Sequence, residues 1–212
     1  LGLVERVAVA VAVPVTADIE NGFAATTEGV AETIALVLAA GAVGVNLEDA
    51  VYDADGGARL RDTAEQAERI AAARQAADAA GVRLFINART DLYLRAVGDP
   101  ADRLDATLAR AAAYVAAGAS GVFVPGTTDP ATVSALADGI GAPLNVLTGP
   151  GAPSIPQLAA AGAARVSLGS SIVTAAYGLV HRAAREAFTT GTYDAIAQTL
   201  DYGKLNALLA GH

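Results

Sequence analysis

One phrase recurs along the chain: an alanine-rich stretch, a glycine, a short β-branched or apolar run, then polar residues. It reads LAAGAVGVNLED at 38–49, DAAGVRLFINARTD at 78–91, VAAGASGVFVPG at 115–126 and AAAGAARVSLGS at 159–170. Alanine-rich helices commonly stop at a glycine that can take the left-handed C′ conformation, and Gly41, Gly81, Gly118 and Gly162 suit that role. The runs that follow show little alternation, which predicts strands buried on both faces. VPVTAD (13–18) and PLNVLT (143–148) add two more strands, each entered through a proline. Amphipathic helical patterns fill 27–40, 62–80, 101–117, 129–139, 153–161 and 171–189. Strand starts recur every 20 to 40 residues or so, the rhythm of βα units with right-handed crossovers, and no linker divides them. A doubly wound sheet and a (β/α)₈ TIM barrel both fit. The barrel typically takes about 250 residues and eight strands. With no methionine in the chain and Leu1 at its start, we expect a truncation that removed the first two βα units.

Polar residues gather where each strand ends, and in α/β folds those ends face the active site. Strand 13–18 ends in Asp18, followed by Glu20 and Asn21-Gly22-Phe23; strand 43–48 ends in Glu48-Asp49; strand 84–89 carries Asn87 and Arg89, with Asp91 beyond. Strand 143–148 holds Asn145 and Thr148, and the last strand runs into Gly169-Ser170-Ser171. Asp18, Glu20, Glu48 and Asp49 come from adjacent units, so neighbouring strands would bring them within reach of one cation. Carboxylates crowded at one mouth repel each other unless a cation sits among them, and an oxygen-only donor set favours Mg²⁺ or Mn²⁺ over Zn²⁺. The alternative for Asp49 and Asp91 is that they cap helices. Arg89 is either paired with a carboxylate or open to an anionic substrate, and we favour the substrate. Asn145 divides the same way. Gly169-Ser170-Ser171 could cradle a phosphate or supply an ordinary serine cap. Tyr93, Tyr114 and Tyr177 read as packing residues. His181 lies within a helical pattern and His212 is the last residue, which disfavours a Ser–His–Asp device.

Composition narrows the classes. Of 212 residues 53% are hydrophobic, yet charges or turn residues interrupt every apolar run before membrane-spanning length. The opening VAVAVAVPV lacks the features of a signal peptide. A net charge of −8 argues against a face that tracks nucleic acid. Cysteine is absent, which removes disulfides, thiolate metal sites and a cysteine nucleophile. We expect a soluble, cytoplasmic protein that handles small anions, with no nucleic-acid or membrane partner.

VPVTADIENGF, GVNLEDA, LFINARTDLYL, GVFVPG, PLNVL and ARVSLGSS, in this order and spacing, resemble the isocitrate lyase/phosphoenolpyruvate mutase superfamily over residues 13–193. The resemblance implies a (β/α)₈ barrel whose third to eighth strands are the six here. It also implies a homotetramer with a terminal helix exchanged between subunits, a Mg²⁺ site, and substrates built on an α-oxo acid or enolpyruvate core. Carried over by motif, Asp18 and Glu20 match the metal pair D-x-[DE], and Glu48 the metal-shell glutamate. Arg89 matches the substrate-contacting arginine and Asn145 the asparagine at the mouth. A further metal-shell aspartate and a Ser-Gly-type carboxylate loop would lie upstream of Leu1.

Departures from that pattern shape the functional reading. The lyases carry K-[KR]-C-G after the N-x-E-D strand, where this chain reads AVYDADGGARLRD, and they place a glutamate where Pro125 stands. Lysines and the Asn-Ser gate of the phosphonate mutases are absent as well. The chain resembles the branch that includes oxaloacetate decarboxylases and carboxyphosphonoenolpyruvate mutase-like proteins. We expect Mg²⁺-dependent cleavage of a C–C bond next to an oxo-acid core, with Glu48 and Arg89 catalytic. The rivals are C–P chemistry and a non-catalytic metabolite-binding oligomer. Segment 50–62, with Asp53, Asp55, Gly56 and Gly57, is expected to be an irregular mobile lid. Residues 1–190 are expected to form the barrel and 191–212 a helical tail, broken at Gly203.

Overall fold

The computed structural model describes residues 1–52 and 57–210. Asp53, Ala54, Asp55 and Gly56 of the expected lid, and His212, lie outside the described residues. Two compact units divide the chain, Leu1–Ser167 and Leu168–His212. Helix 171–189 lies in the second of these units.

In the first unit, among the described residues, the chain forms helix α1 (Gly2–Ala10), strand β1 (Thr16–Asp18), α2 (Thr27–Ala39) and β2 (Gly44–Glu48). Next come a small ribbon of β3 (Ala50–Tyr52) and β4 (Ala58–Leu60), then α3 (Thr63–Ala79), β5 (Phe85–Arg89) and α4 (Arg103–Ala116). The unit ends with β6 (Gly121–Val124), α5 (Pro130–Gly139), β7 (Leu144–Leu147), α6 (Ile155–Ala160) and β8 (Arg165–Ser167). The main sheet is parallel throughout, in the order β1-β2-β5-β6-β7-β8. A doubly wound sheet reverses its order at a switch point; this one keeps chain order from edge to edge. It curls as part of a TIM barrel. The four glycines expected to end helices all do so with positive φ, from +71° at Gly81 to +105° at Gly118.

The expectation of strands buried on both faces holds for the inner strands: β6 is buried throughout, and β2 and β7 at all but one residue each. Val45, Leu47, Ile86, Ala88, Val122, Val124, Leu144 and Val146 are buried in the two apolar clusters that the helices share with the sheet. The intervening positions carry the polar residues: Asp18, Asn46 and Asn87 stand in register, as do Glu48 and Arg89 one pleat further on. A polar ladder crosses this face, with Asn87 Nδ2 donating to Asn46 Oδ1 at 2.8 Å and Asn46 Nδ2 reaching Asp18 Oδ2 at 3.5 Å. The runs show little alternation in the sequence because Gly44, Phe85, Gly121 and Phe123 share this face with the polar residues. At its lower end Phe85 is wedged between two glycines. A Cβ at Gly121 would stand 3.0 Å from the Phe85 ring, and one at Gly44 would stand 2.6 Å from Thr16 Cγ2.

Two further elements differ from the sequence reading. The first part of the apolar opening belongs to a helix, α1, which buries no side chain. Segment 50–62 is not irregular at its flanks, where β3 pairs antiparallel with β4, Ala50 opposite Leu60 and Tyr52 opposite Ala58.

The second unit holds α7 (Ser171–Thr189), a 3₁₀ turn (Asp194–Ile196) and α8 (Tyr202–Ala210). Glu186 ties α7 to the turn, accepting from the Asp194 and Ala195 amides at 2.7 and 2.6 Å and from the Thr192 hydroxyl. The expected break at Gly203 does not occur. Asp201 Oδ1 accepts the Lys204 amide, so Gly203 falls in the capped first turn, where a flexible residue costs little. Ser170 occupies the N-cap of α7 without a side-chain cap bond. Among the described residues no helix is long and apolar enough to cross a membrane.

Candidate active site

The C-terminal ends of β1, β2 and β5 bring Asp18, Glu20, Glu48 and Arg89 around one open cleft of about 630 Å³, with Tyr52 as a fifth wall. Four of these residues were expected from the sequence. Just past β1 the backbone turns sharply. Glu20 has φ +49° and Phe23 φ +50°, values uncommon outside glycine. The Glu20 amide donates to Asp18 Oδ1 at 2.9 Å, and its carbonyl accepts the Glu48 amide at 2.8 Å. The loop is thus stitched to β2. Asp18 and Glu20 are exposed, and among the described residues the Glu20 carboxylate has no partner.

Glu48 is buried. Its Oε2 pairs with Arg89 Nη1 at 2.9 Å and its Oε1 accepts the Tyr52 hydroxyl at 2.8 Å. Burial pushes the Glu48 carboxyl above its ordinary value, against the opposing pull of Arg89. Arg89 is held on its other side by Asp91, Nε to Oδ1 at 2.6 Å and Nη2 to Oδ2 at 3.1 Å. Burial alone would lower its basicity, but the hydrogen bonds and charges of Asp91 and Glu48 raise it. Asp91 also accepts from Arg95 Nε at 3.1 Å, and the Arg95 guanidinium lies 4.8 Å from the Tyr52 ring centre. Glu48, Arg89, Asp91, Arg95 and Tyr52 therefore close a ring of contacts. Arg89 is paired, the alternative the sequence left open, and it still lines the cleft.

Asp49 and Asp91 cap no helix. Asp49, fully buried, accepts the Asp91 amide at 2.9 Å, the Tyr114 hydroxyl at 2.9 Å and Arg110 Nη1 at 3.2 Å. Burial and the Asp49 charge push the Tyr114 phenol far above its ordinary value, so it stays a donor. This cluster is a structural underlay to the cleft, and Tyr114 is a packing residue as expected. Asn145 does not reach the cleft. It lines a separate cavity of about 230 Å³ with Phe85, Asn87 and Arg165, its Oδ1 taken by Ser167 and its Nδ2 unpartnered.

Tyr52, Gln66, Arg69 and Arg95 were missed by the sequence reading. Gln66 donates to the Glu48 carbonyl at 3.2 Å, and Arg69 grips the loop after β1. A signal existed: Gln66, Arg69, Ile70, Ala73 and Ala77 form the buried stripe of α3, and two polar residues on such a stripe need an explanation.

Among the described residues no group of three or more carboxylates or histidines stands close enough to cage a metal. Asp18, Glu20 and Glu48 nonetheless line one cleft, where the Glu48 oxygens also hold Arg89 and Tyr52. Asp18 and Glu20 offer exposed carboxylate oxygens on one loop, and Mg²⁺ is commonly held by one or two carboxylates together with water and substrate oxygens.

Residues 1–188 match the phosphoenolpyruvate phosphomutase family. The chain belongs to that family. Among solved structures, an inferred phosphonomutase of Burkholderia cenocepacia J2315 is 46% identical, with TM-score 0.81 over 88% of this chain and 74% of that one. An uncharacterised protein of Mycobacterium tuberculosis is 34% identical over 93% of this chain and 69% of its own length. The 2-methylisocitrate lyase of Escherichia coli K12 is 32% identical over 66% of this chain and 46% of the enzyme. The fold alone is shared with a phosphonopyruvate hydrolase solved with oxalate and Mg²⁺, 23% identical with TM-score 0.77 over 99% of this chain and 73% of that one. The relatives named thus include a phosphonomutase and a lyase.

Proposed function

We propose that this family member is a Mg²⁺-dependent enzyme of small anionic α-oxo acids, cleaving the bond beyond C3 by oxaloacetate-type decarboxylation or a related C–C cleavage. The observation that carries this reading is the cleft itself. It presents two exposed carboxylates, Asp18 and Glu20, beside an arginine locked in place by Glu48 and Asp91. Asp18 and Glu20 would hold the dication, with Mn²⁺ a possible substitute. When bound, it supplies counter-charge to the acidic cleft and polarises the substrate's carboxylate and keto oxygens.

Arg89 supplies the fixed positive charge. As the C3–C4 bond breaks, its electron pair moves into the enolate, CO₂ leaves, and C3 later takes a proton from water. Negative charge grows on the former keto oxygen, where a pre-oriented guanidinium stabilises it without reorganising. Glu48 and Asp91 do the orienting. A reaction of this kind asks for no cysteine acid, in keeping with a chain that has none.

A panel of oxaloacetate, 2-methylisocitrate and phosphonopyruvate, with Mg²⁺ or EDTA, tests the reading. We expect Mg²⁺-dependent pyruvate from oxaloacetate, lost in Asp18→Ala while thermal unfolding stays unchanged, because Asp18 is exposed. Phosphate release from phosphonopyruvate, with oxaloacetate untouched, would select C–P chemistry, the reading favoured by the 46% identical phosphonomutase. Binding without turnover of any of the three sinks both.

A further inference from the structure

Arg69 is 1% exposed, at the centre of α3, and among the described residues no carboxylate forms an ion pair with it. A buried charge without a counter-ion is costly and needs compensation. Here the compensation is wholly backbone. Nη2 donates to the carbonyls of Asn21 at 2.6 Å and Ala24 at 2.8 Å, and Nη1 to that of Ala25 at 3.3 Å. All three belong to the loop that carries Glu20 and follows Asp18. The same loop has two non-glycine residues in left-handed conformation, Glu20 and Phe23, with Gly22 at φ +93° between them. A Cβ on Gly22 would stand 3.3 Å from Arg69 Nη2 and 3.0 Å from Val30 Cγ2, so the loop lies directly on the guanidinium. Thr33 holds the Gly22 carbonyl from α2 at 2.9 Å. Left-handed non-glycine residues persist only where the surroundings over-determine them, and a planar fork that bonds three carbonyls is a device for that.

We propose that Arg69 is a positioning residue: through the carbonyls of Asn21, Ala24 and Ala25 it fixes the loop that presents Asp18 and Glu20 to a hydrated divalent cation. The cation part rests on the function proposed above; the loop part does not. Arg74 provides a matched control. It sits on the same helix and grips the carbonyls of Gly118 and Leu84 and the Ser120 hydroxyl, away from the cleft.

Arg69→Lys keeps the charge but loses the fork. Two measurements separate the ideas. Amide hydrogen exchange across residues 19–25 should accelerate at least tenfold or so in Arg69→Lys and stay at the parent rate in Arg74→Lys. Mn²⁺ binding, read by electron paramagnetic resonance of the free ion, should weaken about tenfold or more in Arg69→Lys alone, the usual scale for groups that orient ligands. A merely structural Arg69 would lower the melting temperature and leave Mn²⁺ affinity unchanged, which overturns the proposal. If the parent itself binds no Mn²⁺, the metal reading fails, and unaltered exchange in Arg69→Lys would separately overturn the loop assignment. Should Arg69→Lys not fold, Arg69→Met keeps much of the stem without burying a charge and enters the same two measurements. Failure of both to fold, with Arg74→Lys folded, makes Arg69 a folding residue and also overturns the proposal.

Discussion

At the level of single side chains, the cleft is governed by the sharing of Arg89 between Glu48 and Asp91. Three nitrogens of one guanidinium serve two buried carboxylates, a geometry that a lysine ammonium cannot reproduce. Arg89→Lys should therefore do two things at once. Unfolding free energy in urea should fall by about 1–3 kcal/mol, the scale for leaving buried polar groups short of partners, and oxo-acid binding should weaken. Unchanged stability together with unchanged KM would show that the pairing is incidental. A second residue sets acid behaviour. Asp129 caps α5, accepting the Thr132 amide at 2.9 Å and hydroxyl at 2.8 Å, bonds that hold its carboxyl below the ordinary aspartate value. With the folded value depressed, its contribution is present above the unfolded aspartate pKa of about 4 and is lost as pH falls through the folded value. Asp129→Asn keeps a cap acceptor but cannot titrate, so its stability should decline less steeply below about pH 4 than the parent's. Parallel acid curves would count against this assignment. The Arg89–Glu48 pair could not be read from the chain because its members meet only across neighbouring strands, whereas Asp91 and the Asp129–Thr132 cap are local in sequence.

Elements were far more legible. The six strands of the main sheet fall within the expected runs, and helices α2 to α7 match their patterns to within two residues at each end. Both signals are local: apolar periodicity, and glycine at helix ends. Where the local signal was ambiguous, the reading erred. Residues 2–10 carry no side-chain cap and were given no element, yet they form α1, and the strand expected from residue 13 begins only at Thr16. In segment 50–62, acidic residues and glycines outweighed the AVY and ARL flanks, whose cross-strand pairing is invisible until the chain reverses. Two substitutions test the element packing. Asp62 caps α3, accepting the Ala64 amide at 2.8 Å, and Asp62→Ala should cost about 1 kcal/mol by denaturant melt. Gly121→Ala would press a methyl on the Phe85 ring and the Pro143 carbonyl, each 3.0 Å away, and should cost about 1–3 kcal/mol. A neutral Gly121→Ala would mean that the Phe85 floor can yield.

For the molecule as a whole, the βα rhythm could not choose between barrel and open sheet, because both repeat the same unit. Strand order decides, and order is a tertiary fact. The motif resemblance anticipated the outcome because it encodes which residues sit at which strand end. Assembly is the remaining property at this scale, and the second unit bears on it. Neither α7 nor α8 buries a side chain. Leu205, Leu208 and Leu209 on α8 are large apolar residues left exposed. Removing each from water is worth about 1.5–3 kcal/mol, and exposed apolar surface on this scale commonly marks an association face. A second copy offers the same surface, and self-association through one patch closes symmetrically. We therefore expect a homo-oligomer, a tetramer in the full assembly, and expect deletion of residues 192–212 to lower both its mass by light scattering and its melting temperature. A monomeric parent, or a truncated chain that keeps the parent's mass and stability, would remove the tail from any role in assembly.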